Sequence, residues 1–203
     1  PDPLNAYKAT MEHVDAETGR LLDALREQGL AGNTYVIFTS DNGPWLTKHH
    51  HGGSALPLSG GKGWFQEGGI RVPCVMWGPG RIPAGTRTDD MAATIDLFPT
   101  IAALAGVRPK TRGPIDGLDI SPVVLGTGPS PRHELLYCSS NRDEKGNHSI
   151  SFAGMRQGDW KILGRNLDQN PQVFNLAEDL SEKNNLASTQ PEKLAELRAR
   201  VRE

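Results

Sequence analysis

Tyr35-Val36-Ile37-Phe38-Thr39-Ser40-Asp41-Asn42-Gly43 is the stretch on which the fold class turns. The run from Tyr35 to Ser40 is continuous, apolar and rich in β-branched and aromatic residues, the pattern of a strand buried on both faces of a parallel sheet. It stops at Asp41-Asn42-Gly43, so a carboxylate and an amide stand at the carboxyl end of a buried strand, where open α/β sheets gather ligands. Downstream come Gly60-Gly61-Lys62-Gly63 and then Glu67-Gly68-Gly69-Ile70-Arg71-Val72-Pro73. Glycines on both sides of one lysine let the backbone close around an anion and give that lysine a fixed direction.

Working outward, Asp2 and Pro3 start a helix as N-cap and first-turn proline. Leu4, Tyr7, Met11, Val14, Leu21, Leu22 and Leu25 follow at helical spacing, and Gly29 ends it. This helix feeds the Tyr35 strand, half of a repeating α/β unit. Pro44 to Gly61 has no periodicity and reads as a long surface loop, and Arg71 to Trp77 reads as another strand, in which Cys74 fills the core. Ile95, Leu97, Phe98, Ile101, Ala102, Leu104 and Ala105 make a helix stopping at Gly106, with Pro99 tolerated only in the first turn.

Glycine and proline then dominate from Val107 to Pro131, which places a boundary between residues 1–125 and a small subdomain of residues 126–203. In that subdomain Glu134 to Ser139, Ser149 to Met155, Trp160 to Leu163 and Gln172 to Leu176 are strand-like, with a hairpin turn at Gly158-Asp159. Leu194, Leu197 and Val201 share one face of a terminal helix. A small antiparallel sheet packed by that helix is the economical arrangement.

The 203 residues carry 22 basic and 24 acidic side chains and a net charge of −2, so no polyanion-binding surface of the nucleic-acid kind is expected. No run approaches a membrane span, and these residues contain no secretory signal, although the chain begins Pro1-Asp2-Pro3 and is silent on what precedes it. Cys74 and Cys138 make neither a disulfide framework nor a zinc spacing.

Asp41 and Asn42 offer hard oxygen donors suited to calcium or magnesium rather than zinc, but a calcium ion needs six to eight oxygens and most must come from elsewhere. The plainer reading is a turn after a strand. Lys62 reads either as a solvated loop lysine or as a clamp for a tetrahedral anion. Glu67 and Arg71, four residues apart beside glycines, read as a structural pair with one another rather than as substrate contacts. His49-His50-His51 reads as an exposed run, with general-acid work by one of them the alternative. Trp45 and Trp64 flank the same region as candidate pocket walls or core residues.

Thr39-Ser40-Asp41-Asn42-Gly43, Gly61-Lys62-Gly63 and Glu67-Gly68-Gly69-Ile70-Arg71-Val72-Pro73 together resemble the second half of a type I sulfatase of the arylsulfatase kind. The likeness continues through Asp96-Leu97-Phe98-Pro99-Thr100, Asp116-Gly117-Leu118-Asp119-Ile120-Ser121-Pro122, Gly158-Asp159-Trp160-Lys161, Val173-Phe174-Asn175-Leu176 and Asn185-Leu186. The resemblance implies an α/β fold: an alkaline-phosphatase-like sandwich portion followed by a small antiparallel sheet with a packed C-terminal helix. It implies that Asp41 and Asn42 ligate the family's Ca2+ or Mg2+, and that Lys62 is a catalytic-site residue binding sulfate oxygens. In family chemistry a formylglycine hydrate, made from Cys/Ser-x-Pro/Ala-x-Arg, attacks sulfur while the metal steadies the sulfuryl oxygens. The substrate class implied is a small-molecule or carbohydrate sulfate ester, and the compartment implied is periplasmic, secreted or lysosomal.

One departure is decisive: the nucleophile motif is missing. Cys138-Ser139-Ser140-Asn141-Arg142 has the right separation of cysteine and arginine, but Ser140 stands where proline or alanine is required and the position is too late in the chain. It is a decoy. The family's N-terminal aspartate pair is absent as well, so the chain reads as a C-terminal fragment, inactive alone. Two rivals stand beside this reading. One is a metal-dependent phosphatase or phosphodiesterase of the same superfamily, in which histidine would replace Asn42 to hold zinc. The other is a non-catalytic remnant that only binds anions.

Overall fold

The computed structural model describes residues 2–142 and 145–202, with the side chains of His50, Asn141 and Arg142 excepted. The middle member of the histidine run and the arginine of the Cys138 decoy therefore lie outside the described side chains. In chain order the regular elements are α1 (Pro3–Glu27), β1 (Val36–Thr39), α2 (Glu67–Ile70), β2 (Cys74–Trp77), α3 (Leu97–Leu104), α4 (Ser121–Val124), β3 (Glu134–Arg142), β4 (His148–Gln157), β5 (Trp160–Leu163), β6 (Gln172–Asn175) and α5 (Pro191–Arg202). They fall into two compact units, one of residues 1–54 and 71–131, the other of residues 55–70 and 132–203. Among the described residues no helix is long and apolar enough to cross a membrane.

In the first unit α1 starts as its sequence dictates, with Asp2 Oδ1 accepting from the Leu4 N–H at 3.0 Å and Pro3 in the first turn. Gly29, at φ +68, takes the left-handed conformation that lets the chain leave the helix. The expectation for the Tyr35 strand is corrected. β1 pairs antiparallel with β2, Val36 opposite Trp77 and Thr39 opposite Cys74, and it is not buried on both faces. The apolar run calls for cover on two sides, yet among the described residues β2 is its one hydrogen-bonded neighbour, so Phe38 and Val75 remain 47% and 62% exposed. Cys74, expected in the core, is exposed for the same reason.

The core of this unit is a lock between two of the quoted motifs. Asp96 is fully buried; its Oδ2 accepts from the Ala93 N–H and its Oδ1 from the Leu118 N–H, both at 2.8 Å. One turn on, the buried Thr100 hydroxyl donates to Asp96 O at 2.6 Å and accepts from the Ile120 N–H at 3.0 Å. The start of α3 thus captures residues 117–120. A Cβ on Gly117 would lie 2.1 Å from Ile95 O, which is why glycine stands there. Pro99 occupies the first turn of α3, where its missing N–H costs nothing.

The second unit is a four-stranded antiparallel sheet in the order β3-β4-β5-β6, as expected, with the β4–β5 hairpin turning at Gly158-Asp159. Alternation along the strands gives it two buried faces. Tyr137, Ala153, Leu163, Phe174 and Leu176 pack with Phe65 and Ile70 on one side. Met155, Ile162, Leu167, Val173 and Leu197 pack on the other, where α5 adds Leu194 and Val201. A bulge lets one strand serve both faces: the register passes from Tyr137↔Gly154 to Cys138↔Phe152, and the extra residue is Ala153.

Candidate functional site

In the first unit Asp41 and Asn42 follow directly on β1. The strand end is held by Thr39 Oγ1, which donates to Pro73 O at 3.0 Å, and by Ser40 Oγ, which donates to Asn42 O at 2.9 Å. Asp41 is exposed and Asn42 half-buried. Among the described residues no hydrogen bond or ion pair occupies the Asp41 carboxylate or the Asn42 side-chain amide. A carboxylate and an amide oxygen with nothing else bound to them suit a hard cation, as half of its shell at most. Among the described residues no group of three or more His, Cys, Asp or Glu is placed to hold a metal ion by itself.

The segment after Asn42 closes on itself. The Trp45 N–H donates to Gly52 O at 2.9 Å and the Gly52 N–H to His49 O at 3.0 Å. A Cβ on Gly52 would lie 2.0 Å from Trp45 O, so the ring admits no side chain there. His49 sits at φ +52, breaking the short helical turn of residues 46–51, and is exposed; His51 is half-buried. Trp45 is half exposed with Lys48 Nζ 4.8 Å above its ring, and Trp64, in the other unit, is 60% exposed, so neither is core material.

Lys62 belongs to the second unit and is exposed at the crown of a backbone loop. Gly60 and Gly63, at φ +79 and +86, turn the chain on either side of it, and the Trp64 N–H closes the turn on Gly61 O at 2.9 Å. The loop lies directly on α2. The Gly68 N–H donates to Ser59 O at 2.7 Å. A Cβ on Gly68 would stand 2.5 Å from Ser59 O, and one on Gly69 2.2 Å from Trp64 O and 2.5 Å from Gly61 O. The paired glycines after Glu67 exist so that two backbones can touch. From below, Ser59 Oγ donates to Ser181 O at 2.5 Å and Ser181 Oγ to Pro57 O at 2.7 Å.

Glu67 is structural, as expected, but strand residues rather than Arg71 supply the ion pairs seen for its carboxylate, while Arg71 Nη2 lies 3.8 Å from Asp89 Oδ1. Its Oε1 lies 2.9 Å from Lys161 Nζ and its Oε2 3.0 Å from Arg156 Nη1. Lys161 Nζ is also 2.9 Å from Glu182 Oε1, and Glu182 Oε2 accepts from the Glu67 N–H at 2.5 Å. Lys161 is fully buried, with its ammonium 5.4 Å from the centre of the Tyr137 ring. Burial holds the Glu182 carboxyl above its usual range, a push that Lys161 only partly offsets. Burial first, and then the charge of Glu67, keep the Tyr137 phenol protonated well past its ordinary range.

Arg156, Lys161 and Glu182 escaped the sequence reading. One signal was there for Lys161: in β5 it shares a face with Leu163, two residues on, and that face is buried. Cys138 lies exposed in β3. Asp41 and Asn42 stand side by side in the first unit, and Lys62 stands in the second.

Two family models together cover nearly the whole chain. The Sulfatase family model matches residues 2–107, and the model described as N-sulphoglucosamine sulphohydrolase, C-terminal, matches residues 60–203. Bovine (Bos taurus) arylsulfatase A is 45% identical over 136 residues, covering 66% of this chain and 26% of its own length. The chain thus spans about a quarter of the length of the curated relatives it matches. Among solved structures, Ps i-CgsB in complex with k-i-k-neocarrahexaose superposes with a TM-score of 0.83 at 30% identity, over 100% of this chain and 43% of that one. A structure in complex with its substrate D-glucosamine-2-N,6-O-disulfate superposes with a TM-score of 0.72 at 27% identity, over 94% of this chain and 38% of that one. The alkaline-phosphatase-like α/β architecture with a small C-terminal sheet and helix is the one these neighbours share. With one sulfatase model reaching from residue 2 to 107 and a second from 60 to 203, the chain belongs to the sulfatase family.

Proposed function

We propose that this chain is the carboxyl-terminal portion of a sulfatase that hydrolyses sulfate esters, and that it supplies the sulfate-binding lysine and part of the metal shell. The observation that carries the reading is the mounting of Lys62: an exposed ammonium at the crown of a glycine loop whose backbone rests on α2. An exposed ammonium in that setting suits a tetrahedral anion, and its charge counts most when negative charge builds on the sulfuryl oxygens and the departing ester oxygen. Asp41 and Asn42 would hold Ca2+ or Mg2+, a hard cation that when bound would supply Lewis-acid charge stabilisation. Their donor set, an anionic carboxylate beside a neutral amide oxygen, favours a hard cation over zinc and so favours sulfate hydrolysis over the phosphatase alternative.

The nucleophile, a formylglycine by family resemblance, would come from residues of the natural polypeptide outside this chain. Cys138 is not a substitute: it lies in a paired strand rather than at a helix start or a charged cleft. The substrate class is a sulfated carbohydrate or an aryl sulfate. A sulfated sugar is the reading supported by the neighbour bound to D-glucosamine-2-N,6-O-disulfate.

The test is hydrolysis of an aryl sulfate and of a sulfated glucosamine by the natural polypeptide that carries this chain. Turnover that drops on Lys62→Ala supports the reading. Turnover of phosphate esters but not sulfate esters would overturn it.

A further inference from the structure

We propose that Glu67 is a positioning residue for Lys62: the buried ion cluster of Glu67, Lys161 and Glu182 pins α2, and α2 in turn sets the backbone that carries the lysine. The proposal rests on the reading of Lys62 as the sulfate-binding group, and it concerns what aims that group. The connection is continuous on the page. Lys161 Nζ, on β5, holds Glu67 Oε1 at 2.9 Å, and Glu182 Oε2 holds the Glu67 N–H at 2.5 Å. The next residue, Gly68, holds Ser59 O through its N–H at 2.7 Å, and Gly69 faces Gly61 O and Trp64 O at distances that exclude any Cβ. Residues 59, 61 and 64 bracket Lys62. On the far side Ser181, the neighbour of Glu182, donates to Pro57 O at 2.7 Å and receives Ser59 Oγ at 2.5 Å.

Stability alone does not call for charges here. A buried ion pair is about as stable as a well-packed apolar replacement, because the desolvation of both ions offsets their attraction. What charges add is direction. With Lys161 fully buried and Glu67 1% exposed, neither can swing to water, so any shift of α2 pulls the Glu67 carboxylate away from Lys161 inside the protein and leaves the ammonium with Glu182 alone. An apolar pair would tolerate that shift, and the Lys62 loop would drift with it. Glu182 contributes on both counts, since it touches Lys161 with one oxygen and the start of α2 with the other. Its residue is held at φ +52, a conformation that a non-glycine residue keeps only when its surroundings impose it.

The experiment is a double-mutant cycle in the natural polypeptide. The charge-matched pair Glu67→Gln with Lys161→Met is combined with Lys62→Ala, and the affinity for inorganic sulfate is read by equilibrium dialysis beside a thermal melt. The pair is expected to keep a single cooperative melt and to bind sulfate on the order of tenfold more weakly, with that loss disappearing in the Lys62→Ala background. The same loss in both backgrounds, or no loss at all, makes the cluster merely structural and overturns the proposal while leaving the lysine's role intact. If Lys62→Ala by itself leaves sulfate affinity unchanged, the sulfate-binding reading falls and takes this one with it. Should the pair fail to fold, Ser181→Ala, which removes one hydrogen bond to Pro57 O, enters the same cycle with the same criteria.

Discussion

Lys161 Nζ sits 2.9 Å from Glu67 Oε1, with the lysine side chain 0% and the glutamate side chain 1% exposed. Lys161→Met leaves Glu67 and Glu182 in the interior with Arg156 alone to balance two carboxylates, and removing one partner of a buried pair costs about 3–5 kcal/mol. Adding Glu67→Gln removes one of those stranded charges, so the double variant is expected to recover most of the loss. Urea unfolding of the wild type, both single variants and the pair gives the comparison. A pair as unstable as the sum of its singles contradicts the assignment of Lys161 to Glu67.

Glu182 makes the cluster pH-sensitive in a definite direction. Its carboxyl is held above the usual carboxylate range, chiefly by burial, with Lys161 pulling the other way. A raised folded-state pKa means that the group's stabilising share is complete below the unfolded value and is lost as pH rises through the folded one. Glutamine has no such loss. The melting temperature of Glu182→Gln is therefore expected to improve relative to wild type over the pH window that opens just above the ordinary glutamate pKa, by a few degrees at most. A difference that stays flat, or falls, across that window would count against the raised carboxyl.

The Lys62 loop separates two kinds of glycine. A Cβ at Gly63 meets nothing within 4 Å, but the residue is at φ +86, so Gly63→Ala costs roughly 1–2 kcal/mol of backbone strain. At Gly69 a Cβ would stand 2.2 Å from Trp64 O and 2.5 Å from Gly61 O, both backbone atoms that cannot step aside singly. Gly69→Ala is expected to be the more destabilising of the two, and to weaken sulfate affinity as well, because the carbonyls it displaces flank Lys62. Melting temperature and sulfate affinity measured on both variants decide the order.

Much of this was legible in the sequence where local chemistry decides it. Asp2-Pro3 announced a helix start, Gly158-Asp159 a hairpin, and Leu194, Leu197 and Val201 a helix packed on a sheet, because caps, turns and one-face periodicity are short-range. The glycines around Lys62 were legible as a tight backbone, but the surface they rest on was not. Gly68 and Gly69 declare only that something comes close; that it is Ser59, Gly61 and Trp64 is a matter of tertiary fold. β1 illustrates the opposite failure: its apolar run says how much cover a strand wants, and says nothing of the direction of its neighbour, which is antiparallel. Lys161 was hidden because a lysine in a strand is ordinarily a solvent-facing residue, and its partners lie 94 residues upstream and, for Glu182, in a loop without periodicity. Asp96 and Thr100 stood inside quoted motifs, yet only the structure shows that they bind the other motif at Leu118 and Ile120.

Cys138 offers a check on the missing nucleophile. The thiol is exposed in β3 and so is that of Cys74, so both are expected to react with a thiol reagent in the folded chain. Cys138→Ser should leave sulfate-ester hydrolysis by the natural polypeptide within about twofold of wild type, as expected for a surface substitution away from the chemistry. A loss of several orders of magnitude on that substitution would make Cys138 a participant and undo its assignment as a decoy.

The metal reading has its own measurement, independent of turnover. A ligand that binds the folded state alone raises its melting temperature in proportion to the logarithm of its concentration above Kd. Asp41 and Asn42 present a carboxylate and an amide oxygen with no competing bond among the described residues, a donor pair that suits Ca2+ or Mg2+. Calcium or magnesium is therefore expected to raise the melting temperature of the natural polypeptide by several degrees at saturating concentration, on the scale of roughly 3–4 kcal/mol of linkage at a hundred- to thousand-fold excess over Kd. Asp41→Ala removes the anionic ligand and should abolish the shift, whereas Asn42→Ala, which removes a neutral one, should weaken it. Zinc is the control. Stabilisation by zinc but not by calcium or magnesium would show that the pair serves a softer ion, and would move the chain toward the phosphatase alternative.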